Sequence, residues 1–249
     1  MKNFYFLCGM PRAGNTILSS IINQNKKICI TSHSVLPDII YYLNYIKTTN
    51  VFKNFPDEKS LDNVIKNSFK NYYKNFKAEK IIDRGPWGTL ANYTFLKKII
   101  KNPKFIILYR PVLECLSSFI KIEKPKDIVK RCDELMSNDG IIGGNLISIK
   151  NILNLKKNYL IIKYSDFVKT PLNEIKKIYD FLNLNYFDHK LNSFTDFSIN
   201  NIKYNDTVLN APLHKIRTDK IEQIQFNIEK ILPEHIIKKY SGLDILLKY

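Results

Sequence analysis

The sequence predicts an α/β protein of three layers, an αβα sandwich with helices on both faces of a central parallel sheet. Three observations carry this. Apolar runs of five or six residues recur at 4–8, 105–109 and 159–164, the first two fully apolar and the third interrupted only by Lys163. Segments with apolar residues at helical spacing lie between them. A glycine-containing turn after the first run opens directly into a helix. Strands buried on both faces read as unbroken apolar runs, and their alternation with helices implies a parallel sheet with crossovers.

The elements follow in order. Residues 4–8 form a strand that ends at Gly9, and Ile17, Leu18, Ile21 and Ile22 mark a helix over 15–24. Residues 35–46 and 61–76 read as helices with aromatic-rich apolar faces. Lys80 to Asp83 is a short strand running into the loop Arg84-Gly85-Pro86-Trp87-Gly88. A helix over 90–101 stops at Pro103. The strand 105–109 ends at Arg110-Pro111, and helices follow over 113–121, 128–136 and 146–155. After the strand 159–164, Thr170 is placed to cap a helix whose first residue is Pro171. Leu172, Ile175, Ile178 and Leu182 then share one face. Residues 185–210 are Asn-rich and carry no clear period. Residues 219–240 read as mostly helical, broken at Pro233. Nothing marks an internal repeat or boundary, so residues 1–249 are expected to form one domain.

Composition bounds the function. The 249 residues are 45% hydrophobic, enough for a sizeable core. The formal charge is +16. Its lysines are scattered, with no compact basic block, so most read as solvated surface that still favours an anionic ligand. Cys8, Cys29, Cys115 and Cys132 lack metal-like spacing and read as reduced thiols. The histidines form no HExxH or HxH pattern, and no metal site is expected. The apolar run at the N-terminus breaks too early for a signal peptide, and no stretch is long enough to span a bilayer. The expected location is the cytoplasm, with no membrane insertion.

The chemistry begins at Cys8-Gly9-Met10-Pro11-Arg12-Ala13-Gly14-Asn15-Thr16, between the first strand and its helix. Gly9 and Gly14 allow the backbone to curl with N–H groups pointing inward, and the helix start adds partial positive charge. The spacing is that of G-x-x-x-x-G-K-[ST], except that Asn15 stands at the lysine position. That departure argues against nucleoside triphosphate hydrolysis, while Arg12 supplies a cation elsewhere in the loop. The plainer alternative is an ordinary glycine-containing turn.

A second constellation starts at Arg110, at the tip of the 105–109 strand, and reaches Ser118 two turns into the next helix. A guanidinium fork and a hydroxyl so placed can grip one phosphate from two sides. The alternative is a surface salt bridge and a solvated serine.

Together these segments resemble the PAPS-dependent sulfotransferase family, where PAPS is 3'-phosphoadenosine 5'-phosphosulfate. Residues 9–16 are similar to its 5'-phosphosulfate loop, and Arg110 to Ser118, with Glu114 between, to its 3'-phosphate motif. Tyr164-Ser165-Asp166-Phe167, Thr170-Pro171 and the helix ending Phe181-Leu182-Asn183-Leu184 are similar to its later strand-loop-helix. The resemblance spans about residues 3 to 184. Two departures are Asn15, where Ser or Thr is usual, and Pro111 directly after Arg110, which leaves Ser117 as the fallback for Ser118. The resemblance implies PAPS as donor, no metal, and a small-molecule or glycan acceptor carrying a hydroxyl or amine. Pro11, Arg12, Ala13, Gly14, Asn15 and Thr16 would hold the 5' end, with Arg12 also catalytic. Arg110 and Ser118 would hold the 3'-phosphate. Lys215 and Arg217 would belong to a late basic loop closing over the donor, or are plain surface cations.

Transfer also needs a base for the acceptor proton. Asp83 is preferred, because a strand-end carboxylate in a Gly/Pro loop is expected to project into the ligand crevice. His33, in Thr31-Ser32-His33-Ser34, is the second candidate, with an imidazole of suitable ordinary pKa. Asp83 as a turn cap and His33 as a polar loop residue are the alternatives. Trp87 would stack on a ligand or be buried against the sheet. Two other functions compete. A P-loop nucleoside or metabolite kinase is opposed by Asn15, and a basic nucleic-acid binder by the lack of a localised basic stripe.

Overall fold

The first apolar run forms β1, Asn3–Leu7, and the segment after the glycine turn forms α1, Asn15–Ile22, in a computed structural model of the chain. The structure describes residues 2–31, 33–192, 197–209, 211–216 and 221–244. After β2 (Ile28–Ile30) come α2 (Leu36–Tyr45), α3 (Asn50–Asn54) and α4 (Glu58–Tyr72). Next are β3 (Lys80–Arg84), α5 (Leu90–Ile99), β4 (Phe105–Tyr109), α6 (Val112–Glu123), α7 (Ile128–Met136) and α8 (Ile141–Leu153). Then β5 (Tyr159–Lys163) runs into α9 (Tyr164–Lys169) and α10 (Pro171–Leu182). A two-strand ribbon, β6 (Ser198–Ile199) with β7 (Ile202–Lys203), and α11 (Glu234–Tyr240) follow.

The main sheet is parallel, in the order β2-β3-β1-β4-β5, with helices on both faces. Burial explains the order. All five residues of β4 are buried, as a central strand requires, while β5 at the edge is mostly half-buried. Phe4 and Phe6 meet α4 and the β3–α5 loop, with ring centroids 4.8 Å from Phe69 and 5.1 Å from Trp87. The fully buried Phe6 contributes about 1.5–3 kcal/mol by leaving water, and the half-buried Phe4 less. Asp57 and Asp127 start α4 and α7, accepting from the N–H groups of Ser60 at 3.0 Å and Lys130 at 2.9 Å.

Register sets where the strands end. Leu7 sits opposite both Arg84 of β3 and Ile106 of β4. β4 therefore runs three residues past β1, and the chain after β1 keeps bonding along it. Cys8 N–H donates to the Ile106 carbonyl and Met10 N–H to the Leu108 carbonyl, both at 2.8 Å. This carries the glycine loop alongside β4 toward Arg110.

Some expectations change. β2, α3 and α9 are too short and mixed to stand out by period. Thr170 precedes α10, but its Oγ1 donates to the Asp166 carbonyl at 3.2 Å instead of capping the helix. Residues 221–227 are not helical, and only a 3-10 turn at Ile228–Lys230 precedes α11. Pro233 does not break a helix; it occupies the N-cap position of α11. A fixed φ and a missing N–H suit a helix entrance.

Candidate active site

The glycine loop is braced from inside. Asn15 is buried, and its Nδ2 donates to the Met10 carbonyl at 2.7 Å. This side chain lies against Gly9, where a Cβ would come 1.9 Å from Asn15 Oδ1. Gly9 is needed for that close approach, and Asn15 closes the loop where a P-loop lysine would reach outward. Arg12 and Gly14 both take left-handed backbone, at φ 62° and 87°. Such a conformation is costly for Arg12 and persists only where surroundings hold it. Gly14 caps α1 without a side chain. Pro11 and Ala13 are buried beneath the loop, and Thr16 is half-buried in the first turn.

Arg110 supplies part of that hold. Its side chain is 2% exposed, and its Nη1 donates to the Arg12 carbonyl at 2.7 Å. Its Nε pairs with Glu114 Oε2 at 3.0 Å, and its Nη2 donates to the Ile224 carbonyl at 3.0 Å. The guanidinium lies over Tyr164, 4.1 Å from the ring centroid, with Phe226 at 5.2 Å. Arg12 in turn donates through Nε to Ser118 Oγ at 3.1 Å and through Nη1 to the Leu213 carbonyl. Burial and the charge of Arg110 both lower the pKa of Arg12. Two crowded cations disfavour each other, so the spot favours an anion.

Ser118, not Ser117, faces this cluster. Ser117 Oγ is buried with no hydrogen-bond partner. A cleft of about 420 Å³ continues past Phe226, lined also by Ile120, Lys121 and Lys230. Another of about 300 Å³ lies among α2, α4 and α5, between Asp62, Phe95 and Lys98, away from these loops.

The expected direction of Asp83 is corrected. It does not project into the crevice but is fully buried, with Oδ2 accepting from Tyr73 and Oδ1 from Trp87 Nε1 at 2.9 Å. Burial raises its pKa to about 6, against the hydrogen bonds from Tyr73, Trp87 and Ser34. Trp87 is buried against Phe6 and Phe69 and stacks on no ligand surface. His33 is exposed beyond β2. Desolvation, then Arg84, holds its imidazole below the ordinary value. Lys215 is exposed, and Arg217 lies outside the described residues. Among the described residues, no group of three His, Cys, Asp or Glu can hold a metal.

The structure thus joins Arg12, Arg110 and Ser118 and leaves Asp83 and Ser117 in the core. The sequence reading missed Tyr164 and Phe226 around Arg110, and the carbonyls of Leu213 and Ile224. Tyr164 ends an apolar run, which is a usable signal for a strand-end residue. The carbonyls have none, since any residue supplies one.

A sequence model described as the sulfotransferase family matches residues 5–188. Among solved structures, the chain is similar to the sulfotransferase domain of a Synechococcus olefin synthase, at 16% identity and TM-score 0.59, over 100% of this chain and 96% of that one. It is similar to a mouse sulfotransferase complexed with PAP, at 13% identity and TM-score 0.58, over 97% and 82%. The sulfotransferase domain from the curacin biosynthetic pathway aligns at 15% identity and TM-score 0.57, over 96% and 97%. At these identities the likeness concerns the fold. No curated protein gives a significant sequence match.

Proposed function

The chain belongs to the sulfotransferase family, and from that premise we propose that it moves a sulfuryl group from PAPS to a hydroxyl or amine of a small-molecule or glycan acceptor. The observation that carries this reading is the clasp between the two anion grips. Arg110 bonds the Arg12 carbonyl while Arg12 bonds Ser118. One ligand with phosphates at both ends suits such a joined site better than two separate anions. The PAP complex of the mouse relative supports the same donor.

The reaction needs alignment and charge stabilisation more than covalent help from the protein. Pro11 to Thr16 would cradle the 5' end with their N–H groups and the Thr16 hydroxyl. Arg12 would stabilise charge growing on the leaving phosphate oxygen. Arg110 and Ser118 would hold the 3'-phosphate, with Tyr164 stacked on the guanidinium and fixing its orientation. The carbonyls of Leu213 and Ile224 now hold donors of Arg12 and Arg110, so donor binding would exchange carbonyl for phosphate oxygen. Lys215 and Arg217 would supply the cations of the late basic loop that the family resemblance implies. The four described cysteines are buried and unpaired, which suits a reducing cytoplasm. Among the described residues, no helix is long and apolar enough to cross a membrane.

The test is ligand-induced stabilisation. Adenosine 3',5'-bisphosphate, the expected product, should raise the melting temperature in proportion to the logarithm of its concentration. The absence of any shift at millimolar ligand would remove the reading.

A further inference from the structure

α2 is apolar on both of its faces. Leu36 and Ile40 are buried, and Leu43 packs beside them on the core. Tyr41, Tyr42 and Tyr45 lie on the opposite side of the helix, with Ile46 just past its end, and all four are exposed. A helix that is apolar all round is normally covered all round. The exposed stripe continues past the 3-10 turn Ile46–Thr48 into α3, where Val51 is 84% exposed and Phe55, at its end, 77%. Large apolar side chains gathered in one exposed patch mark an interaction site.

This projection is held by defined bonds. Thr48 Oγ1 donates to the Tyr45 carbonyl and Thr49 Oγ1 to the Ile46 carbonyl, both at 2.8 Å. Thr49 Oγ1 also accepts from the Phe52 N–H at 3.3 Å and so starts α3. Lys47 ties the turn to Asp62 of α4 at 2.8 Å, and Lys98 of α5 meets the other oxygen of Asp62 at 3.3 Å. The charge of Asp62 is thus met twice over. From residue 39 to residue 56 the chain carries Lys47 and Lys53 and no acid. Asp38 lies at the start of the stripe, Asp57 is engaged in capping α4, and Glu58 is 3.9 Å from Lys47. The patch therefore joins apolar tips to cations, on a chain of formal charge +16.

We propose that the outer face of α2, the turn after it and α3 form a docking face for an anionic bilayer surface. Charge and shape select this occupant. A second copy of the chain would bring its own lysines and its own excess positive charge against these. A protein partner reads its target through pockets, and side chains as open as Val51 and Phe55 line none. A bilayer accepts protruding tips. Val51, Phe55 and Ile46 would sit among the upper acyl carbons, and the tyrosine rings would lie with their hydroxyls at headgroup level. Lys47 and Lys53 would meet lipid phosphates, helped by the charge of the whole chain. The attachment is peripheral, made by side chains of two short helices. It stands apart from the sulfuryl-transfer reading, and its test needs no turnover.

The test is co-sedimentation of the full chain with vesicles of phosphatidylcholine alone, or with about 30% phosphatidylglycerol added. The parent should bind the anionic vesicles at least several-fold more tightly than the neutral ones. Binding should weaken as salt rises from about 0.05 M to about 0.5 M. Two double variants, Val51→Ser with Phe55→Ser and Tyr42→Ser with Tyr45→Ser, change exposed side chains and should melt like the parent. Each should bind anionic vesicles roughly 10-fold more weakly, because apolar area and charge act together. Ile202→Ser, exposed on β7, should bind like the parent. Parental binding by both double variants overturns the proposal, since diffuse charge alone would then suffice. A parent that binds no anionic vesicle overturns it too. Val51→Trp gives a second reading that removes nothing from the patch. Its emission should move to shorter wavelength on anionic vesicles, against the constant background of the buried Trp87, and an unmoved spectrum overturns the assignment. A parent dimer that the double variants dissolve would give the face to a second copy and overturn the proposal.

Discussion

Arg110 donates to the main-chain carbonyl of Arg12 at 2.7 Å, so the tip of β4 holds the strained turn of the glycine loop in place. The two arginines are coupled through backbone, not through side-chain charge alone. Arg110 shapes the loop proposed to hold the 5' end while belonging to the proposed 3'-phosphate site. Removing it should therefore damage both.

Arg110→Ala should weaken adenosine 3',5'-bisphosphate binding by roughly 10- to 100-fold, the value of one charged hydrogen bond of about 1.5–3 kcal/mol. It should also lower stability, because buried carbonyls of Arg12 and Ile224 lose their donor. Arg110→Lys keeps the charge but not the fork, and should recover little of the binding. Calorimetric titration and denaturant melts measure the two effects. Arg110→Lys binding like the parent would show that charge alone suffices.

Ser117 and Ser118 should separate cleanly. Ser118→Ala removes the acceptor of Arg12 Nε and should weaken nucleotide binding several-fold. Ser117 Oγ is buried without a partner, so Ser117→Ala should change stability by less than about 0.5 kcal/mol or raise it. It should leave binding unchanged. The reverse pattern in a paired binding experiment would exchange their roles.

Gly9→Ala should destabilise the fold by about 1–3 kcal/mol through the clash with Asn15. The clashing atoms belong to the Asn15 side chain, at 1.9 and 2.8 Å. Asn15→Ala should therefore recover part of the loss when combined with Gly9→Ala. Urea melts of the four proteins in a double-mutant cycle measure the coupling. Strictly additive losses would mean that the loop clashes elsewhere.

Asp83 predicts a pH effect of definite sign. Its pKa is raised from 3.8 to about 6 in the folded chain, chiefly by burial. The folded state thus binds the proton more tightly. Its contribution to stability is fully present below about pH 4 and is lost as pH rises through about 6. Carboxylates held low, such as Asp62 and Asp133, act in the opposite sense. The difference between parent and Asp83→Asn isolates the effect. Relative to the parent, Asp83→Asn should gain on the order of 1–3 kcal/mol between about pH 4 and about pH 7. Parallel stability profiles would show that Asp83 is not held protonated in this range.

Three of the five sheet strands were legible from continuous apolar runs, because a strand covered on both faces needs them. The Lys80 to Asp83 strand was legible from its flanking loop, and β2 was not, being three residues long at an edge. That Arg12, Arg110 and Ser118 lie at neighbouring strand ends was legible, because local spacing places them there. The direction of Asp83 was not. Both faces of β3 are covered, so alternation along the strand does not distinguish core from crevice, and the placement of Tyr73 and Trp87 decided it.

By itself, the order of residues determined the layers, the strand ends and the side chains available at them, since these follow from local period and burial. Only the tertiary structure decided which of them meet. The Arg12–Arg110 bond depends on the loop running on along β4 beyond the end of β1. The Arg12–Leu213 bond depends on a segment without periodicity folding back to the glycine loop. Such contacts join residues far apart in the chain, many through carbonyl groups that every residue shares, so no local pattern of side chains encodes them.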